Sequence, residues 1–261
     1  MKYTIGITTF KRRIESVKSM IEYIRSCDED IIINLAVNGE VEEDFDEVYR
    51  MDILKLCTDY KNIFPFFYQE FRALSKLWNN LVISSKTEYN LILNDDLIFD
   101  HSNNFVKMVD DIITQNIGVK CFTINGSWSH FVITTEFLDE MNYFDERFLL
   151  HGEEDGDFVW RYIDRHGVYP PSISLPIANK HQTGQEDDTM VTNNTDIGYA
   201  NKPRFNQEFT VVKYQHDPSS AISGLYGRPH KKILQDERQY PYESFYLKNR
   251  NGLKKFKGIE I

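Results

Sequence analysis

At 261 residues with 41% apolar side chains, the chain is long enough for one sizeable α/β domain plus an appendage, not two equal domains. A formal charge of −10 argues against a protein that binds nucleic acid over its whole surface, although a local basic patch remains compatible with it. The three cysteines, Cys27, Cys57 and Cys121, lie far apart with no C-x-x-C pair, which excludes a disulfide framework and a cysteine-built zinc site and predicts core thiols in a reducing compartment.

The first residues run straight into a strand without a signal-peptide core, and no later apolar stretch is long enough to span a bilayer. A soluble, cytoplasmic protein is the expectation, and the glycosylation sequons at Asn125 and Asn193 are then coincidental. Tyr3 to Thr8 reads as a strand that ends in Thr9-Phe10-Lys11-Arg12-Arg13, a polar and cationic loop. A helix follows to about Cys27, with Ile14, Val17, Met20, Ile21 and Ile24 on one face. Ile31 to Val37 is a second, buried strand closed by Asn38-Gly39 and an acidic loop, giving a β-α-β unit with a right-handed parallel crossover.

Ile53 to Cys57 is expected as a third strand, and a helix is expected from roughly Phe67 to Ile83, with Phe71, Leu74, Leu77, Trp78 and Leu81 at helical spacing. Tyr89 to Leu93 is an apolar run that stops on Asn94-Asp95-Asp96. Ligands of open α/β sheets collect outside the carboxyl ends of strands, so these residues would stand at the mouth of a site. Two carboxylates and an amide oxygen are hard donors suited to Mg²⁺ or Mn²⁺ and, through the metal, to a diphosphate. The same three residues would also make a solvated turn.

A helix from about Asn104 to Thr114, a strand at Val119 to Thr123 and a strand over Gly126–Thr134 come next, followed by a short helix carrying Phe137, Leu138 and Met141. The alternation up to Thr123 is that of a doubly wound sheet. Phe144-Asp145-Glu146-Arg147-Phe148 then leads to a dense acidic stretch, in which Glu153, Glu154, Asp155 and Asp157 crowd around Gly152 and Gly156 before an amphipathic helix. Carboxylates favour a helix N-terminus, which accounts for acidity there. Crowding them also costs stability, as happens where chemistry needs one of them as a base. Beyond Gly167 the run Val168-Tyr169-Pro170-Pro171 ends the helix, Ile173 to Ile177 is extended, and His181 follows.

From Tyr3 to His181 the chain resembles family-two-type glycosyltransferases of the GT-A fold, a Rossmann-like, mixed and mostly parallel sheet flanked by helices. The resemblance rests on Thr8-Thr9-Phe10-Lys11-Arg12 after the first strand and on Arg72 and Asn79 before the acidic strand. It rests further on Asn94-Asp95-Asp96 as a D-x-D variant, on the Phe144–Phe148 motif, and on Glu154-Asp155-Gly156-Asp157 with Arg161. It implies an inverting, metal-dependent transfer of a sugar from a nucleotide diphosphate, UDP first among candidates, to an acceptor hydroxyl on a glycan. The implied metal ligands for Mn²⁺ or Mg²⁺ are Asp96 and His181, and the implied catalytic pair is Asp155, as general base, with Glu154. Thr8, Phe10, Arg12, Asn38, Arg72, Asn94 and Asp95 fall where the family holds the donor. Two departures stand out. Asn94 carries no charge at the first D-x-D position, and Asn38 replaces an aspartate that contacts uracil.

The resemblance divides the chain into a transferase domain, residues 1–181, and an extension, residues 182–261. Residues 185–206 read either as a loop that closes over the donor or as plain surface. The tail from Phe245 to Ile261 sets Lys248, Arg250, Lys254, Lys255 and Lys257 against Glu260, with aromatics interleaved. That composition is a solvated basic segment or a contact for the inner membrane face or a nucleic acid, and no obligate protein partner is indicated. Three other readings stay open: a modified nucleic-acid base or protein side chain as acceptor, retention of stereochemistry, and a binding module without turnover. A nucleotidyltransferase is disfavoured because Thr8 to Arg13 has no glycine-rich phosphate loop.

Overall fold

The computed structural model describes residues 3–10, 13–39, 45–69, 71–116, 118–148 and 152–180, together with Asn206, Thr210, Lys213 and Tyr214. In chain order the elements are β1 (Tyr3–Thr9), α1 (Ile14–Cys27), β2 (Ile33–Val37), α2 (Glu47–Asp59), β3 (Ile63–Phe67), α3 (Leu74–Ser84), β4 (Tyr89–Asn94) and β5 (Leu97–Phe99). There follow α4 (Phe105–Gln115), β6 (Cys121–Ile124), β7 (Ser127–Thr134), α5 (Thr135–Glu140), α6 (Glu154–His166), β8 (Ser172–Ile173) and β9 (Ile177–Asn179).

A strand whose residues are apolar on both faces needs cover on both, and β1 and β2 are buried at every position. The sheet runs β3-β2-β1-β4-β7-β6-β8. Strands β3, β2, β1 and β4 are mutually parallel, and β7 alone in this sheet runs against its neighbours. One face carries α1, α2 and α4 over Ile5, Ile7, Leu35, Leu91 and Leu93. The other carries α3, α5 and α6 over Ala36, Ile92, Phe131 and Ile133. This is the Rossmann-like, mostly parallel architecture expected from the alternation.

Two expected elements are placed differently. Ile53 to Cys57 lies inside α2, because the Asp46 carboxylate accepts from Val48 N and Tyr49 N and so starts a helix that buries Tyr49, Ile53 and Leu56 on one stripe. The third strand is β3 instead, with Pro65 inside it, tolerated because β3 is the sheet edge. The helix expected from Phe67 begins only at Leu74. Tyr68 N still reaches Val37 O at 3.0 Å, and Arg72 is clamped to Asn38, so the chain between them stays out of helix. Gly39 permits that crossing, since a Cβ there would stand 2.5 Å from Gln69 O.

The three cysteines are free, and burial pushes the Cys57 thiol up to about 11 and Cys121 further in the same direction. Asn125 is occupied structurally, its amide donating to Leu175 O at 2.9 Å and Ile177 O at 2.7 Å. No described helix is long and apolar enough to cross a membrane.

His130 on β7 faces Leu93 across the ladder, is 1% exposed, and has no hydrogen-bond partner on either ring nitrogen. Burial holds its pKa down to about 4 from 6.5. The folded chain therefore binds this proton more weakly than the unfolded chain, so the associated stability is complete above pH 6.5 and is lost as pH falls towards 4. His130→Leu should narrow the acid-side loss by roughly 3 kcal/mol relative to wild type. A stability difference between the two proteins that stays flat from pH 7 to pH 4 in urea titrations would exclude His130 as the source.

Candidate functional site

Parallel pairing brings the carboxyl ends of β1, β2 and β4 to one edge, where Thr8 stands beside Asn94 in the β1–β4 register. Thr8 Oγ1 donates to Asn94 Oδ1 at 3.1 Å, and Asn38 N donates to Thr9 O at 2.8 Å, so the three strand ends are tied together. Both edges of the Asn38 amide are engaged by the main chain of Arg72, Nδ2 to Arg72 O at 3.0 Å and Oδ1 from Arg72 N at 2.8 Å. Asn38 thus fixes the loop that presents Arg72 to this edge.

Beyond Asn94 the two carboxylates meet a cation that the motif reading did not single out. Arg13 Nη1 lies 3.4 Å from Asp95 Oδ1 and 3.6 Å from Asp96 Oδ2, with the Arg13 side chain only 6% exposed. Its guanidinium also stands 5.5 Å from the centre of the Phe10 ring. In sequence Lys11, Arg12 and Arg13 are equivalent cations, and Arg13 is the one that directly precedes α1. Arg12 and His181 lie outside the described residues. Lys180 leads towards His181 and donates its N–H to Asp96 O at 2.8 Å.

Burial pushes the Asp95 carboxyl up to about 7; Arg13 works against that rise and Asp96 adds to it. Asp95 Oδ2 and Asp96 Oδ1 are buried oxygens without a hydrogen-bond partner. Orphaned carboxylate oxygens on adjacent residues suit a hard divalent cation, which characteristically takes one or two carboxylates and completes its shell from phosphate and water. Among the described residues no third His, Cys, Asp or Glu joins them.

A second cluster is held at the same edge by aromatic packing. Trp128 precedes His130, the partner of Leu93, and so lies by the carboxyl end of β4. Phe158, one turn into α6, packs on it with ring centroids 5.2 Å apart. Asn79 on α3 adds a clamp: its amide exchanges hydrogen bonds with the Phe144 main chain at 2.9 and 3.0 Å and reaches Glu146 Oε1 at 3.0 Å. Phe144 in turn stacks on Phe158 with ring centroids 4.4 Å apart, which ties α6 to α3.

Glu153 there adopts a left-handed backbone, φ 74°, after Gly152 at φ 99°. Burial pushes the Glu153 carboxyl up to about 7 and carries Glu154 well above the usual carboxylate range, the Asp155 charge adding to both. Glu154 is 4% exposed, whereas Asp155 is half-buried and accepts from Gly156 N at 2.8 Å. Beneath them Asp157 is fully buried, paired with Arg161 Nε at 2.9 Å and contacted by Lys213 and the Tyr214 hydroxyl. Residues 56 and 57 positions away left no local signal of this contact in the sequence.

No family model matches the chain, and no curated protein matches it. Among solved structures it is similar to S. aureus TarS (residues 1–349) in complex with UDP, at 12% identity and TM-score 0.50, covering 67% of this chain and 58% of that one. It is equally similar to the mannosyltransferase PcManGT from Pyrobaculum calidifontis in complex with GDP-Man and Mn²⁺, at 8% identity and TM-score 0.50, covering 67% and 55%. The longer TarS structure is matched over 35% of its length, so the chain spans a third to somewhat over half of these proteins. At such identities the likeness defines the fold, which is GT-A-like.

Asp95 is favoured in its protonated form in the folded chain, so stability falls as pH rises from about 4 through 7, and Arg13 tempers that fall. Arg13→Met should cost roughly 2–4 kcal/mol at pH 8 and much less at pH 5. Equal losses at both pH values, measured by denaturant unfolding with chelator present, would dissociate Arg13 from the two aspartates.

Proposed function

We propose that the chain is a nucleotide-sugar glycosyltransferase, moving a sugar from a UDP-sugar to an acceptor hydroxyl on a glycan with inversion. The observation that carries this reading is Asp95 and Asp96, with their unpartnered oxygens, at the carboxyl edge of a GT-A-like sheet, beside which Phe158 of the acid-headed α6 packs on Trp128. UDP in the TarS complex, and GDP-Man with Mn²⁺ in the mannosyltransferase, support the same donor class here.

Thr8, Phe10, Asn38 and Arg72 border the nucleoside and diphosphate at the strand ends, with Arg12 in the same loop. Asp96 and Asp95, with His181 as a further ligand, would hold Mn²⁺ or Mg²⁺, which when bound supplies Lewis-acid neutralisation of the departing diphosphate. Asn94 contributes an uncharged oxygen that Thr8 keeps oriented.

The acceptor oxygen forms a bond to the anomeric carbon while the bond from that carbon to the diphosphate oxygen breaks, and the diphosphate leaves with the electron pair. The acceptor proton passes to Asp155, the more accessible of the two adjoining carboxylates. Burial, with the Asp155 charge added, pushes the adjoining Glu154 carboxyl well above the usual carboxylate range, which favours its neutral form beside the base.

With UDP- and GDP-sugars as donors and water standing in as acceptor, Asp155→Asn should lower the rate of nucleotide release by ~10²–10⁴ while donor binding persists. Donor affinity falling in step with rate would move Asp155 into the donor site. Asp96→Ala should abolish the Mn²⁺-dependent rise in melting temperature produced by UDP, a rise expected of any ligand that binds only the folded state. An undiminished rise in that variant would remove Asp96 from the metal shell.

A further inference from the structure

Acidic residues packed at the start of α6 repel one another, and Glu153 holds a left-handed backbone that a non-glycine residue disfavours. Something must hold this segment against relaxation. Its own element supplies Arg161, which donates to Asp157 Oδ2 at 2.9 Å and to Tyr143 O at 2.7 Å. The remaining restraint comes from a distant part of the chain.

Asn206, Thr210, Lys213 and Tyr214 are each helical and each buried. Asn206 Nδ2 donates to Gly152 O at 2.8 Å, which pins the residue before Glu153. Lys213 Nζ lies 2.7 Å from Asp145 Oδ2 and also contacts Asp157 Oδ1, with the Lys213 side chain 3% exposed. The Tyr214 hydroxyl donates to the same Asp157 oxygen, and its ring packs 5.7 Å from that of Trp160. Gly152 and Asp157 are the two ends of the acidic segment, the first held by Asn206 and the second by Lys213 and Tyr214.

The bridging ammonium also joins two motifs, because Asp145 belongs to the turn that Asn79 clamps to α3 and is held by Arg147 Nε at 2.7 Å. Burial pushes the Asp145 carboxyl up, but Lys213 and Arg147 together outweigh it and hold the group well below the usual carboxylate range. Removing Lys213 would leave two buried carboxylates sharing fewer cations, and they would separate or take up protons.

We infer that Lys213, with Asn206 and Tyr214, is the positioning element that sets Glu154 and Asp155 for transfer, so that residues beyond 181 belong to the catalytic apparatus. This rests on the glycosyltransferase reading. Lys213 touches no reacting atom in this scheme; it acts through Asp157 and the backbone of 152–157. A misplacement of about 1 Å at a general base costs on the order of 10²-fold in rate, which sets the size of effect to expect.

The test uses the full chain bearing Lys213→Met, Lys213→Arg or Asn206→Ala, with UDP- and GDP-sugars as donors and water as acceptor. Lys213→Met should retain the wild-type donor KM and UDP-dependent thermal shift while kcat falls about 10–100-fold, and Lys213→Arg should recover at least a third of the wild-type kcat. Asn206→Ala, which leaves the ion pairs intact, should lower kcat several-fold with an unchanged KM. A folded Lys213→Met with wild-type kcat, or kcat and donor affinity lost in equal measure, would overturn the inference. If Lys213→Met does not fold, Asn206→Ala decides, and an unchanged kcat there is equally fatal. A wild-type chain that neither binds UDP nor releases it from any donor would instead defeat the underlying glycosyltransferase reading, an outcome visible before any variant is made.

Discussion

A carboxylate withdrawn from water must find a cation or take up a proton, and the carboxyl edge of this sheet is built under that constraint. Asp95 and Asp96 share Arg13, and Asp145 and Asp157 share Lys213. Glu154 lacks such a partner among the described residues and is pushed strongly towards its neutral form. The carboxyls therefore differ in their affinity for a proton, with Asp145 held well below the usual carboxylate range, Asp95 pushed up to about 7 and Glu154 pushed well above that range.

The sheet supplies the geometry for that gradation. Parallel β1, β2 and β4 deliver their polar ends to one edge, and antiparallel β7 brings Trp128 back to it, where Phe158 docks the start of α6. The packing of Phe158 on Trp128 sets α6 beside the edge that carries Asp95 and Asp96, and amide clamps fix the loops nearby. Asn38 clamps Arg72 and Asn79 clamps Phe144, both by reciprocal main-chain bonds. Buried amides used in this way satisfy backbone groups that the ladder leaves open, and they define loop positions more sharply than apolar packing does.

How much of this could be read from residues alone depends on the range of the interaction. The strands at Tyr3 and Tyr89 and the helices at Ile14, Phe105 and Glu154 announce themselves through unbroken or periodic apolar runs. Ile53 to Cys57 misled because a short apolar run has no decisive period, and the deciding feature was the Asp46 cap seven residues earlier. The helix after Pro65 begins later than its apolar spacing predicts because the Asn38–Arg72 clamp spans 34 positions and has no local signature. For the site, the acidic motifs stood out by composition, whereas Arg13 did not, being one of three adjacent cations.

By itself the sequence determined the alternation of strands and helices, the faces that must be buried, and the positions at which carboxylates collect, since all three follow from local periodicity and side-chain chemistry. Only the tertiary structure decided which cation meets which carboxylate, and hence which of them carries a proton. Those pairings are made across 56 to 83 residues by Lys213 and Arg13, and charge matching at that separation is set by how the elements pack, not by any pattern along the chain.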